Sequence, residues 1–278
     1  MFIFDAHCDT LSTGRPLWRN GGHADIERLR ARGPGIQVMA AFGKDQLSQL
    51  DRLSAVSGCL NCALLPAVEG GDTVETLSDL GPFLARRPVF FGLTWNGDNR
   101  LAGGCKGGGG GLTPLGREAV AALENADVLV DLSHASERTF WDVLEIARKP
   151  PVVTHACCAA LCPHPRNLSD GQLKALAQAG GVLGVTFYPP FLTGRDGAAL
   201  EDVARHIGHA VSVMGAEHVG LGSDFDGCET LPDGLAGVQD VPALIGTLPF
   251  EEDTKTLIAG GNFLRVLPAK GGAFHFTG

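Results

Sequence analysis

The chain has 278 residues, 44% of them hydrophobic and 19% charged, the balance of a globular protein with a sizeable core. A net charge of −9 without a basic run or Lys/Arg stripe argues against nucleic acid as a partner. "MFIF" meets polar Asp5 at once and no apolar run approaches the roughly 20 residues of a membrane span, so the expected location is cytoplasmic, without membrane association.

The first apolar run, "MFIFDAH" (1–7), reads as a buried strand that ends in His7, Cys8 and Asp9. Alternate side chains of a strand share a face, so His7 and Asp9 would point the same way. Alone, H-x-D is a weak metal signal, and a polar strand end is the commoner explanation. A second run, "GIQVMAAF" (35–42), leads into a helical pattern over 45–56. The third, "CALLPAVE" (62–69), ends in Glu69 and is followed by helical spacing over 72–84. The fourth is "PVFFGLT" (88–94).

The glycine-rich "GGCKGGGGG" (103–111) lacks the G-K-[ST] ending of a phosphate loop and reads as a flexible loop near the site. After a helix over 116–125, "DVLVDLS" (127–133) leads to His134, and the helix 137–148 follows. "PVVTH" (151–155) ends in His155, and Ser169 with Gln172 has capping-box spacing at the start of a helix ending at Gly180. Strand 181–187, helix 200–215 and "HVGLGS" (218–223) lead to Asp224, and helices near 241–247 and 251–265 complete the pattern.

Eight short apolar strands alternating with helices predict an α/β fold, a (β/α)₈ TIM-like barrel as one domain over 1–278, with a doubly wound open sheet as the alternative. Chemistry in such barrels sits at the C-terminal strand ends. Six residues of ligand or acid/base type fall there: His7, Asp9, Glu69, His134, His155 and Asp224. Three imidazoles and three carboxylates suit two divalent ions of the zinc class. Glu69 is the candidate bridging ligand, and Asp224 is the spare carboxylate for proton transfer.

Other motifs have blander readings. Eight cysteines in a long chain without a secretion signal suggest thiols, including Cys59, Cys62, Cys157 and Cys158. His206 and His209 share a helix expected to lie outside the barrel, and His218 begins a strand at the wrong end for chemistry. His23 and His275 have no partner in sequence, and His164 sits in a proline-flanked turn beyond strand six.

The stretches "FDAHCDT", "AVEGGD", "LTWNGDN", "GLTPLGREAV", "VDLSHAS", "VVTHACCAALCPHPRNLSD", "GVTFYP", "HVGLGSDFDG" and "GGNFLRVL" resemble, in order and spacing, the membrane dipeptidase (renal dipeptidase) family of zinc metallopeptidases. The resemblance covers nearly the whole chain. It implies an amidohydrolase-type barrel with a binuclear zinc site that hydrolyses dipeptides, including those with a C-terminal D-residue, through a bridging hydroxide. His7 and Asp9 match ligands of the first metal, His134 and His155 those of the second, and Glu69 the bridge. Arg166 matches the residue that holds the substrate carboxylate, and Asp224 the acid/base that also meets substrate. Many members read "LTHN" where this chain has "LTWN", so Trp95 replaces a substrate-contacting histidine, as in a bacterial subgroup. Another small amide or lactone as substrate, or a non-catalytic metal-binding relative, is the alternative, and a homo-oligomer is compatible with either.

Overall fold

The structure, a computed structural model, describes residues 1–56 and 61–268. Eight strands close into a barrel in chain order: β1 (Ile3–Asp5), β2 (Gly35–Phe42), β3 (Cys62–Glu69), β4 (Phe90–Gly92), β5 (Leu129–Asp131), β6 (Val152–Ala156), β7 (Val182–Val185) and β8 (Val219–Leu221). All pairings are parallel, and β1 meets β8 through Asp5 and Leu221, which rules out the open sheet.

Strand alternation sorts the apolar residues into two layers. Phe4, Ile36, Ala67, Phe90, Leu129, Val152 and Val182 form one cluster with Phe263, whose ring centroid lies 5.3 Å from Phe4 and 6.0 Å from Phe90. Residues from β1 to β7 gather there, so this cluster fills the barrel floor. Their strand neighbours Val68, Phe91, Val130, Val153 and Leu183 join the larger cluster with helix residues such as Leu50, Leu123, Phe140, Leu173 and Ile207. Glu69, Asp131 and Thr154 lie two residues beyond Ala67, Leu129 and Val152, so the same alternation turns them inward above the floor.

Local chemistry sets the helices. Ser136 caps Glu137–Ile146 by accepting from Thr139 N. Ser169 and Gln172 form the expected capping box of Asp170–Gln178. The pattern over 72–84 is instead a 3₁₀ turn, Leu77–Leu80, and a short helix, Gly81–Ala85, with Pro82 in its first turn. The segment expected at 251–265 is broken into Glu252–Thr256, a wide turn over Leu257–Gly261, and Asn262–Val266. Gly260 marks the break, where the chain lies against β1; a Cβ there would stand 2.9 Å from Phe4 N. Short helices Ile26–Arg32 and Pro189–Thr193, of seven and five residues, occupy the loops after β1 and β7 and are too short for a sustained periodic signal. Among the described residues no helix is long and apolar enough to cross a membrane.

Candidate active site

The barrel mouth gathers all six residues singled out at strand ends. Glu69 ends β3 and His155 lies within β6, where the register with β7 shifts between Val153 and Ala156. The chain beyond β1 stays extended: Cys8 N donates to Val38 O at 3.1 Å and Asp9 N to Phe225 O at 2.8 Å, which fixes His7 and Asp9. His134 and Asp224 follow β5 and β8 with φ of 66° and 63°. Non-glycine residues seldom hold this left-handed conformation, and those that do concentrate at functional sites. Gly227 leaves space beside them, since a Cβ there would collide with the Asp9 and Asp224 carboxylates.

The cluster has two halves joined by Glu69. Its Oε1 lies 2.8 Å from His134 Nε2 and 3.7 Å from His155 Nε2; the two imidazole nitrogens are 2.9 Å apart. Its Oε2 lies 3.6 Å from His7 Nε2, which stands 3.7 Å from Asp9 Oδ1 and 3.9 Å from Asp224 Oδ1. All six residues are buried. His7 Nε2 and Asp9 Oδ1 have no hydrogen-bond partner among the described residues. Burial, then Arg166 and His7, push His134 well below the usual imidazole range; burial, His7 and Arg166 do the same to His155. Burial and repulsion from Asp9 raise Glu69 well above the usual carboxylate range and push Asp224 up to about 7. Burial opposes charge on His7, but Glu69, Asp9 and Asp224 outweigh it and push it up to about 10.

The backing groups orient the imidazoles. Asn96 Oδ1 lies 3.0 Å from His134 Nδ1, so Nδ1 carries the proton and Nε2 turns its lone pair to Glu69. Thr154 Oγ1 donates to Asp131 Oδ2 at 2.5 Å and therefore accepts from His155 Nδ1 at 3.0 Å. The His155 Nε2 lone pair then also faces Glu69. With Glu69 ionised, three acceptors converge with no donor among them, a set that a cation satisfies. Asp5 braces the other side, accepting from Ser223 N, Ser223 Oγ and Gln37 Nε2. Asn96, Asp131, Thr154 and Asp5 were not among the sequence candidates; their one signal is a polar residue placed inside or just beyond an apolar strand.

A cavity of about 430 Å³ opens above the cluster. Arg166 is buried in its wall, with Nη2 donating to His155 O at 3.3 Å, its guanidinium over the Phe191 ring at 5.3 Å, and Nε without a partner among the described residues. Trp95 also lines it, 39% exposed, between Phe42 and His134. Lys106 of the glycine-rich loop lines the mouth, and hydrogen bonds tie the loop to the segment before it. Asp98 accepts from Gly104 N and Gly108 N, Lys106 N donates to Asn96 O, and Cys105 N donates to His134 O.

The remaining histidines separate cleanly. His206 is buried between Cys158 N and Leu192 O, His209 pairs with Asp170, and His218 Nδ1 bonds Gly181 O. His164 both lines the cavity and accepts from Arg166 N within its turn. His23 does have a partner: Asp226, distant in sequence, accepts from His23 N and donates its own N–H to His23 Nδ1. Cys157 and Cys158 are buried thiols and Cys62 is buried. Cys59 and His275 lie outside the described residues.

Residues 49–271 match the sequence model of the membrane dipeptidase family, peptidase family M19. The chain belongs to this family. An uncharacterized protein in the pqqA 5′ region of Klebsiella pneumoniae is 40% identical over 203 residues, covering 68% of this chain and 74% of that protein. An uncharacterized dipeptidase of Schizosaccharomyces pombe is 37% identical over 203 residues, covering 70% of this chain; the match spans 49% of its length, about half. A Rhodobacter sphaeroides metallopeptidase, solved with a phosphinate mimic of L-Ala-D-Ala, shares the fold with a TM-score of 0.86. It is 24% identical, with 96% of this chain and 98% of that chain covered. Membrane dipeptidases are metallopeptidases, and the converging acceptors at the barrel mouth suit the divalent metal that this class implies.

Proposed function

We propose that the chain is a metal-dependent dipeptidase with two divalent ions of the zinc class. His7 and Asp9 would hold one ion, His134 and His155 the other, and Glu69 would bridge them. The carrying observation is Glu69 itself, with Oε2 toward His7 and Oε1 toward the His134–His155 pair. The donor set of imidazoles and carboxylates fits this metal class. When bound, the ions supply Lewis acidity, activating water and polarising the peptide carbonyl.

The chain's own residues do the rest. Arg166 has an Nε without a partner among the described residues, lies in the cavity wall, and suits a free C-terminal carboxylate, which a guanidinium grips as a fork. Asp224 borders both cluster and cavity. As general base it takes a proton from the attacking water, and as general acid it passes that proton to the leaving amine while the C–N bond breaks. The products are two free amino acids. Trp95 and Phe42 form an aromatic wall beside His134, where an apolar substrate group can pack.

The test is turnover by zinc-loaded protein on a panel of dipeptides, with L- and D-residues at the C-terminal position, against amides and lactones of similar size. Cleavage of free dipeptides is the expected result. Cleavage of lactones or blocked amides alone would overturn the reading.

A further inference from the structure

We propose that Lys106 forms a second anion subsite in the cavity that Arg166 lines, which selects dipeptides whose C-terminal residue carries a carboxylate side chain. The inference rests on the dipeptidase reading and adds a substrate class to it. Three observations carry it.

The first is position. Lys106 sits at the cavity wall on the loop 103–111, its N–H bonded to Asn96 O at 2.8 Å, while Cys105 N bonds His134 O at 2.8 Å. Asp98 pins the loop from Gly104 and Gly108. The main chain of residue 106 is thereby held close to His134, one of the candidate ligands.

The second is the free charge. Among the described residues the Lys106 side chain makes no hydrogen bond or ion pair, and it is exposed where it lines the cavity. Lys149 and Lys255, by contrast, pair with Asp127 and Glu252. In a chain of net charge −9, an unpaired lysine bordering the candidate site is available to a ligand anion.

The third is the sorting of charge. Arg166 and Lys106, the two cationic side chains of the lining, border one cavity. Asp224, Asp226 and Glu229 line the same cavity. Asp226 is already engaged by Thr10 Oγ1, His23 N and Arg15. A substrate with two carboxylates in one residue has two cations to meet in this cavity. Its main-chain carboxylate takes the Arg166 fork. Its side-chain carboxylate takes Lys106, a point charge on a flexible stem that tolerates aspartyl and glutamyl lengths.

The test compares kcat/KM for Ala-Asp with Ala-Asn, its neutral near-isostere, in the zinc-loaded protein, using both configurations of the second residue. The readout is the Asp/Asn ratio in wild type, Lys106→Met and Lys106→Glu, with metal content and thermal unfolding checked for each. Wild type is expected to favour Ala-Asp by about tenfold at low salt, the scale of one partly exposed charge-assisted contact. The preference should shrink as salt rises, because exposed pairs are screened. Lys106→Met should bring the ratio near one, and Lys106→Glu should reverse it. A wild-type ratio at or below one, or a ratio unchanged in Lys106→Met while Ala-Ala is still cleaved, would overturn the subsite alone. Cleavage of no dipeptide by metal-loaded wild type would overturn the dipeptidase reading and the subsite with it.

Discussion

Replacing Thr154 by valine tests the support of His155 with little change of shape. The hydroxyl donates to Asp131 Oδ2 at 2.5 Å and accepts from His155 Nδ1 at 3.0 Å, with Ser133 Oγ also 3.2 Å away. Valine removes both bonds and leaves a carboxylate oxygen and an imidazole N–H short of partners. A neutral bond contributes about 1 kcal/mol net and one to a charged group about 1.5–3 kcal/mol, so the metal-free variant should lose roughly 2–4 kcal/mol. Asp131 Oδ1 keeps Ser133 N and Thr154 N, which argues for the lower half of that range. Loss of the group that orients a ligating histidine also costs about 10–100-fold in metal affinity. Urea unfolding of metal-free protein measures the first effect, and chelator competition the second. Thr154→Ser keeps the hydroxyl and should recover most of both. Equal metal affinity in wild type, Thr154→Ser and Thr154→Val would refute the idea that this chain of bonds aims His155.

Asp224→Asn should keep most of the metal and lower kcat by about 10²–10⁴-fold, since an amide cannot take the proton; near-normal kcat would remove Asp224 from that role. Arg166→Ala should raise KM strongly for free dipeptides and much less for their C-terminal amides, and Arg166→Lys should recover only part of the loss because an ammonium is not a fork. Metal-free protein should lose stability from pH 7 to 9. His7, raised to about 10, binds a proton in the folded state that the unfolded chain has released, so its stabilising contribution is full below about 6.5 and fades as pH climbs toward 10. Asp224, raised to about 7, is half protonated at pH 7 and loses the rest of its contribution within this window, Glu69 is raised and so acts in the same direction, and the depressed His134 and His155 are essentially neutral in both states. A flat or rising thermal midpoint from pH 7 to 9 would contradict this.

The barrel was legible because each strand is a short run buried on both faces, and the six clustered residues were legible because they interrupt those runs at one end. Strand lengths were not: 88–94 and 127–133 shrink to Phe90–Gly92 and Leu129–Asp131, since residues that approach the site stay apolar after pairing stops. Closure of β1 on β8 leaves no local mark in either strand. Asp131 and Thr154 were passed over because a buried polar residue in an apolar run reads alike whether it braces a ligand or merely ends a strand. The glycine-rich loop misled for a different reason. Its composition favours disorder, whereas the hydrogen bonds that hold it come from Asp98 and Asn96, which belong to the segment before it. His23 and Asp226 found each other through the return of β8 beside β1, a contact that no spacing in the chain announces.

The central claim is that Glu69 joins two metal positions, and metal content measured on wild type and Glu69→Gln addresses it most directly. A bridging carboxylate serves both ions, so wild type should hold about two divalent ions per chain and Glu69→Gln should lose affinity at both positions together, with dipeptide turnover falling in parallel. Glu69→Gln protein that still binds two ions with wild-type affinity and cleaves dipeptides at the wild-type rate would contradict it.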